Sequence, residues 1–403
     1  MLKLKLPLLS LFALGLVACG GSENDGASSS TGGSGGSIAT GGAGGAGGSA
    51  GAAGSAGAAS GGASGSCAPG SHVDGDGCLS DIESWSNAPS LASARDHHVT
   101  FAVETPSGRF LFATGGVKDM SSAVTSTERS SIAADGSLSD FTAVTKLPEP
   151  VAGAGVAQIG STVILTSGMR PVGTKLGLSG RVNVAEVADD GSIAAWKKGP
   201  ELATARFHAA SIAVGSFVYT IGGLAGDGTD NTPSVEVAKL DAGELGAWKE
   251  TTSLPDKRSH HAVFSHAEKV YVAGGLSGDP AGANVGYSDV IAANVNADGS
   301  LSEWKTVGSL PDALATHSAA VLGDSVFLVG GVIGSGFAAM NTAGVWRAKI
   351  AKDGSLGSFE PELDLPKARA HAHQTPIANG FLYSVAGAFE HASMTDVFVA
   401  KLK

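Results

Sequence analysis

The chain has 403 residues, with 26 Lys and Arg against 37 Asp and Glu, a formal charge of −11 and 60 glycines. This acidic balance excludes a nucleic-acid surface, where Lys and Arg must replace the counterions of the phosphates. Beyond the first residues no apolar stretch is long enough to span a membrane.

Residues 1–18, MLKLKLPLLSLFALGLVA, place Lys3 and Lys5 before a short apolar core, the pattern of a secretory signal. Its removal takes two positive charges and no acids, so the formal charge moves from −11 to −13. The end of the segment, Leu16-Val17-Ala18-Cys19, resembles a bacterial lipobox, which implies cleavage before Cys19 and lipidation of its thiol. The alternative, ordinary cleavage near Ala18, leaves Cys19 as a lone thiol on an exported chain. Lipid on Cys19 predicts membrane anchorage without a span. Gly20, where inner-membrane lipoproteins carry Asp, implies the outer membrane, facing either the periplasm or the outside.

Residues 19–66 follow as a tether. From Ala27 to Ser66 it is nearly all Gly, Ala and Ser, with nothing to bury against the entropy of ordering. Its span is about 35 Å as a flexible chain. No strict Gly-x-y period sets it up as collagen. The segment Cys67–Cys78, CAPGSHVDGDGC, then brings two cysteines close together in an exported chain and predicts a disulfide-closed turn. Asp74 and Asp76 suggest a calcium loop, but the later acidic ligand of an EF-hand is missing.

From residue 79 to 403 the chain repeats itself. Trp85, Phe141, Trp196, Trp248, Trp304 and Phe359 recur at intervals of 52–56 residues. After each aromatic comes a Leu-Pro-like turn, a His-containing strand and an apolar strand ending in Gly-Gly. The best copies are Arg95–Gly116, Arg206–Gly223, Arg258–Gly275 and Ala315–Gly331. Two degraded copies end at Ser167–Gly168 and Ala386–Gly387. A variable loop, a third strand and an Asp-Gly turn complete each unit, the turn being read as a tight hairpin with positive φ at both central residues. Each unit thus predicts a four-stranded antiparallel sheet, stacked on both faces. Thr395–Lys403 matches a third strand with no fourth after it, and the segment ending at Trp85 matches a fourth strand with no first three. An all-β ring of six blades, closed by an N-terminal strand, follows.

The Gly-Gly doublet after an apolar strand, with Trp twenty-odd residues later, resembles the kelch repeat across residues 79–403, although the usual tyrosine is mostly absent and the second unit lacks the doublet. The resemblance implies a kelch-type β-propeller. Propellers of this kind include a copper oxidase acting on galactose, whose Cys–Tyr crosslink this chain does not provide, since its cysteines all precede the ring. They also include a periplasmic sialic-acid mutarotase. That relative implies an alternative function, a carbohydrate-active isomerase at the channel mouth, with Glu128, Glu186 or Glu236 and a channel Arg or His as acid and base.

The candidate site residues are the repeated pairs Arg95 and His97, Arg206 and His208, Arg258 and His260, and Arg369 and His371. One residue further on lie His98, His261 and His317; Val151 and Leu314 break the Arg pattern in units two and five. Two readings stay open. The four pairs circle the channel as an anion, carbohydrate or metal site, or they are a repeat signature in which Arg and His bond backbone carbonyls. Recurrence with the blade favours the signature. No catalytic residue, cofactor or metal is expected, because ring symmetry is read as holding equivalent side chains too far apart for zinc. The resulting expectation is a monomeric envelope lipoprotein whose propeller binds a protein or glycan partner through the loops after each doublet.

Overall fold

The computed structural model describes residues 67–118, 122–173, 175–228, 230–277, 285–335, 339–390 and 392–403. The signal segment, Cys19 and the tether lie outside the described residues. Among the described residues every regular element is a β-strand.

Six antiparallel sheets follow one another along the chain, each with consecutive strands side by side. The first contains Val99–Thr105, Gly108–Thr114, Thr127–Ile132 and Thr142–Val144. The second begins with Gly155–Ile159, the third with Ala210–Val214, the fourth with Ala262–His266 and the fifth with Ser318–Leu322. The sixth is made of Ile377–Ala378, Phe381–Val385 and Val397–Leu402, and its outermost strand is the N-terminal Ile82–Ala88, paired to Val397–Leu402. The first strands touch in a circle, sheet one to sheet two and onward until sheet six meets sheet one.

The burial pattern shows why the sheets stack. Second strands such as Thr162–Thr166 and Ser325–Val329 are buried at every position, because both of their faces are covered. Fourth strands such as Thr142–Val144 are largely exposed and form the outer edge. Each seam between neighbouring sheets holds its own apolar cluster. Phe101, Phe112 and Leu165 fill the seam between sheets one and two, and Leu111, Tyr383 and Val385 fill the seam between six and one. The same holds around the rest of the circle. The recurring aromatics stitch adjacent sheets as well. Trp248 donates its indole N–H to Pro200 O at 2.9 Å, Trp304 to Thr252 O at 3.0 Å and Trp85 to Leu363 O at 2.8 Å.

The Asp-Gly turns differ from expectation in one respect. Only the glycine takes positive φ, for example +81° at Gly136 and +84° at Gly299. The preceding aspartate instead accepts hydrogen bonds from the serine two residues on, as Asp135 does from Ser137 N at 3.0 Å and Ser137 Oγ at 2.7 Å. That local bond holds the aspartate in an ordinary conformation.

Cys67 and Cys78 are joined in a disulfide. The hairpin they close straddles sheets five and six. Cys78 N donates to Asp324 Oδ2 at 2.8 Å, and Asp324 N donates to Cys78 O at 2.7 Å. His72 Nδ1 lies 3.2 Å from Lys403 O, and Asp74 pairs with Lys349 at 2.7 Å. Asp76 pairs with Lys352, so both aspartates of the suspected calcium loop are engaged by lysines.

Candidate functional site

The Arg-x-His segment enters each first strand, and its two named residues part company. Arg95, Arg206, Arg258 and Arg369 are at most 1 % exposed. Each turns outward into its own sheet and donates to the carbonyl of the doublet's first residue: Gly115 at 3.2 Å, Gly222 at 3.1 Å, Gly274 at 3.3 Å and Ala386 at 2.9 Å. Arg95 also pairs with Glu128, Arg206 with Glu236 at 2.5 Å and Arg258 with Asp289 at 2.8 Å. Arg369 has no such carboxylate bond; it lies over the Phe398 ring at 4.4 Å, and burial pulls it down to about 10. Each of the four arginines thus bonds a backbone carbonyl at the equivalent place in its own sheet. Where Val151 breaks the pattern in sheet two, Arg170 supplies the same bond from another position, donating through Nε to Ser167 O at 3.0 Å. Arg170 follows the Ser167-Gly168 pair instead of preceding the first strand, so the repeat register does not point to it.

Glu128 and Glu236 are buried against these arginines. Glu186 lies in the second sheet, bonded to Ser161 and to Thr162 Oγ1 at 2.8 Å. Among the described residues none of the three is hydrogen-bonded to a hub histidine.

The residue two after each arginine does something else. His97, Gly153, His208, His260, Thr316 and His371 occupy one equivalent position, and all six have φ between +52° and +58°. Each backbone N–H donates to the carbonyl of the preceding member, His97 to His371 included, at 2.8–3.3 Å. Six left-handed residues thus close a ring of hydrogen bonds around the axis. Histidine tolerates that conformation and glycine adopts it freely, whereas β-branched Thr316 is strained there.

The ring gathers the imidazoles. His371 and His97 stack at 4.0 Å between centroids, and His208 and His260 lie 3.6 Å apart. The two pairs face each other across the axis, His97 to His208 at 4.9 Å and His260 to His371 at 6.1 Å. Gly153 and Thr316 hold the gaps between the pairs. Phe207 fills the first gap; a Cβ at Gly153 would meet its ring at 2.2 Å. His373 joins from one turn of strand further along, 5.4–5.9 Å from His97, His208 and His371. One nitrogen from each of His97, His208 and His371 lies within 4.8 Å of the others. The expected wide separation of equivalent side chains is thereby overturned: at the hub the ring radius is small, and left-handed backbones aim the side chains together.

Burial drives the histidines toward the neutral form. Desolvation first, then repulsion from neighbouring imidazoles, pushes His208, His260 and His371 well below the ordinary value and His373 to about 3. In the next layer, His261 and His317 also fall to about 3, chiefly through burial between successive sheets. A Cβ on Gly222 would meet His261 at 2.8 Å, so the doublet glycine is what makes room for that ring. His97 Nδ1 contacts the Asp96 carboxylate, which in turn accepts from Ser393 Oγ. Asp96 and His373 were not singled out from the sequence. Asp96 is the acid in the middle of RDH where the other copies have Phe207, Ser259 and Ala370; His373 repeats the His-x-His spacing from His371.

Beyond the hub the first strands line a narrow channel of about 130 Å³, walled by Thr100, Gln158, Ser211, Val263, Leu322 and Thr375. At the opposite end of each unit, the residue after the doublet pairs with the residue before the ring position, as Phe207 does with Leu224 and Ser259 with Leu276. The segments expected to be loops there are short hairpins, among them Met169–Val172 with Lys175–Leu178, Leu276–Ser277 with Val285–Gly286, and Val332–Ile333 with Met340–Asn341. They form a rim around the hub.

A solved structure titled "Structure of YjhT" superposes on this arrangement with a TM-score of 0.62, covering 78% of this chain and 99% of that one at 14% identity. The fold is a β-propeller. No protein-family model matches the sequence, and no curated protein matches it. Within the propeller, the histidine hub is where polar side chains of several sheets converge among the described residues, and the hairpin rim surrounds it.

Proposed function

We propose that this chain is an envelope lipoprotein, anchored through lipid on Cys19, whose six sheets are the blades of a kelch-type propeller closed by the strand Ile82–Ala88 and displayed to bind a partner protein through the hairpin rim. One observation carries the binding role. Five large apolar residues are strongly exposed among the described residues, and three sit on rim hairpins: Val172 at 52 %, Val285 at 57 % and Met340 at 65 %. A rigid ring that holds protruding apolar tips on one face suits a protein surface better than a sugar. The channel supports the same choice, since about 130 Å³ is well below the roughly 300 Å³ of the smallest usual ligand pockets. With Glu128 and Glu236 paired to arginines, an isomerase would have to use Glu186 or another acid and base.

The test uses the full chain in detergent, with envelope proteins in one arm and a glycan array in the other. Val172→Asp, Val285→Asp and Met340→Asp together are expected to abolish capture of a specific envelope protein, while Val73→Asp with Leu363→Asp leaves it intact. Glycan binding that survives the rim substitutions defeats the reading. Fractionation of Cys19→Ala tests the anchor, which predicts release from the membrane.

A further inference from the structure

We propose that His97, His208 and His371 form a three-histidine site for a transition metal, zinc(II) before others, at the hub of the propeller. Their ligand nitrogens already lie within 4.8 Å of one another. A tetrahedral zinc with bonds of about 2.0–2.1 Å needs its nitrogens about 3.4 Å apart. Small rotations of three side chains close that difference. The three residues come from sheets one, three and six, and the ring of backbone hydrogen bonds fixes each Cα relative to the others. The site is therefore built on the most interlocked part of the backbone, which favours a preorganised ligand set.

One observation sets this trio apart from a product of the repeat, and a second, shared with His98, His261 and His317, is compatible with an ion there. The first is Asp96. Its carboxylate engages His97 Nδ1 and is itself held by Ser393 Oγ. Carboxylate–histidine pairing of this kind orients metal-bound imidazoles and raises their basicity, and it leaves Nε2 for the ion. No other copy of the motif has an acid at that position. The second is His208, whose buried Nδ1 has no hydrogen-bond partner. A buried nitrogen without a partner carries a desolvation penalty that an ion would remove. His260 is held instead by Ser259 Oγ at 2.8 Å.

The donor chemistry selects the metal. Three imidazoles with no thiolate suit zinc, copper, iron or nickel rather than calcium or magnesium. Three protein ligands leave a fourth position for water or a small anion. His373 adjoins the trio, and its Nε2 is also buried without a partner, placed to bond whatever occupies that position.

The full chain in detergent, stripped of metal, is titrated with cobalt(II), and zinc(II) then competes. One equivalent of cobalt with the visible bands of a four-coordinate nitrogen site, displaced by one equivalent of zinc, is expected. Asp96→Asn weakens zinc by roughly 10–100-fold, the usual worth of such an outer partner. His97→Ala, His208→Ala and His371→Ala each weaken it more than that, whereas the surface pair His72→Ala with His266→Ala changes nothing. The proposal is overturned by no stoichiometric uptake, or by uptake that follows His72 and His266 rather than the hub. If circular dichroism shows that the three hub variants do not fold, Asp96→Asn decides alone, because it retains every imidazole; unchanged affinity in that variant overturns the site.

Discussion

The arginine layer and the histidine layer begin in the same three-residue motif and end as different kinds of structure. Arg206 works inside one sheet, saturating the carbonyls of Gly222 and Ser234 and the carboxylate of Glu236. His208, two residues on, works between sheets and meets His97, His260 and His371. Distance from the axis makes the difference. Away from the hub, a repeated side chain meets only its own sheet, so repetition multiplies a staple. At the hub, repetition brings the copies together, so the same periodicity produces a cluster. Recurrence alone is therefore poor grounds for calling a residue architectural.

Acid should separate the layers most strongly. His261 and His317 sit at about 3 in the fold, against about 6.5 in an unfolded chain. Above the unfolded value both states are neutral and nothing is lost. As pH falls below about 6.5, the unfolded chain binds protons that the fold refuses, costing about 1.4 kcal/mol per pH unit per histidine. The two together remove roughly 7 kcal/mol by pH 4. Denaturant midpoints at pH 7 and pH 4 measure this, and equal midpoints would show that the rings are hydrated.

Breaking an arginine staple comes next. Arg206→Ala leaves the Glu236 carboxylate buried and unpaired, a loss of about 3–5 kcal/mol. Adding Glu236→Gln should recover part of it; urea unfolding that shows no recovery contradicts the staple. In the metal-free chain Gly153→Ala forces a Cβ onto Phe207 at a φ of +58°, at a cost of about 1–3 kcal/mol. The smallest effect runs the other way. Thr316→Gly relieves a strained β-branched residue and a buried hydroxyl without a partner, and should stabilise by about 1 kcal/mol, raising Tm in a calorimetric scan.

The sheets were legible because their signals are local. Gly-Gly ends a strand, Asp-Gly turns one, and Trp marks the outer edge, each within reach of a one-dimensional reading. The pairing of Ile82–Ala88 with Val397–Leu402 was legible from what each end of the chain lacked. The hub was not, because its distances depend on a ring radius and on left-handed φ values that the letters of a His-x-His segment do not encode. Arg170 was hidden for a similar reason: it reaches the equivalent carbonyl from after the doublet instead of before it. The rim hairpins were read as loops since two-residue strands such as Leu224–Ala225 leave no alternation to detect.

The disulfide hairpin has a directional meaning. Gly70 packs on Gly380, and Cys78 on Gly323 and Asp324, at the turns between first and second strands. Those turns lie at the end of the sheets away from the rim. Cys67, bonded to Cys78, therefore sits on the underside of the propeller, away from the rim hairpins.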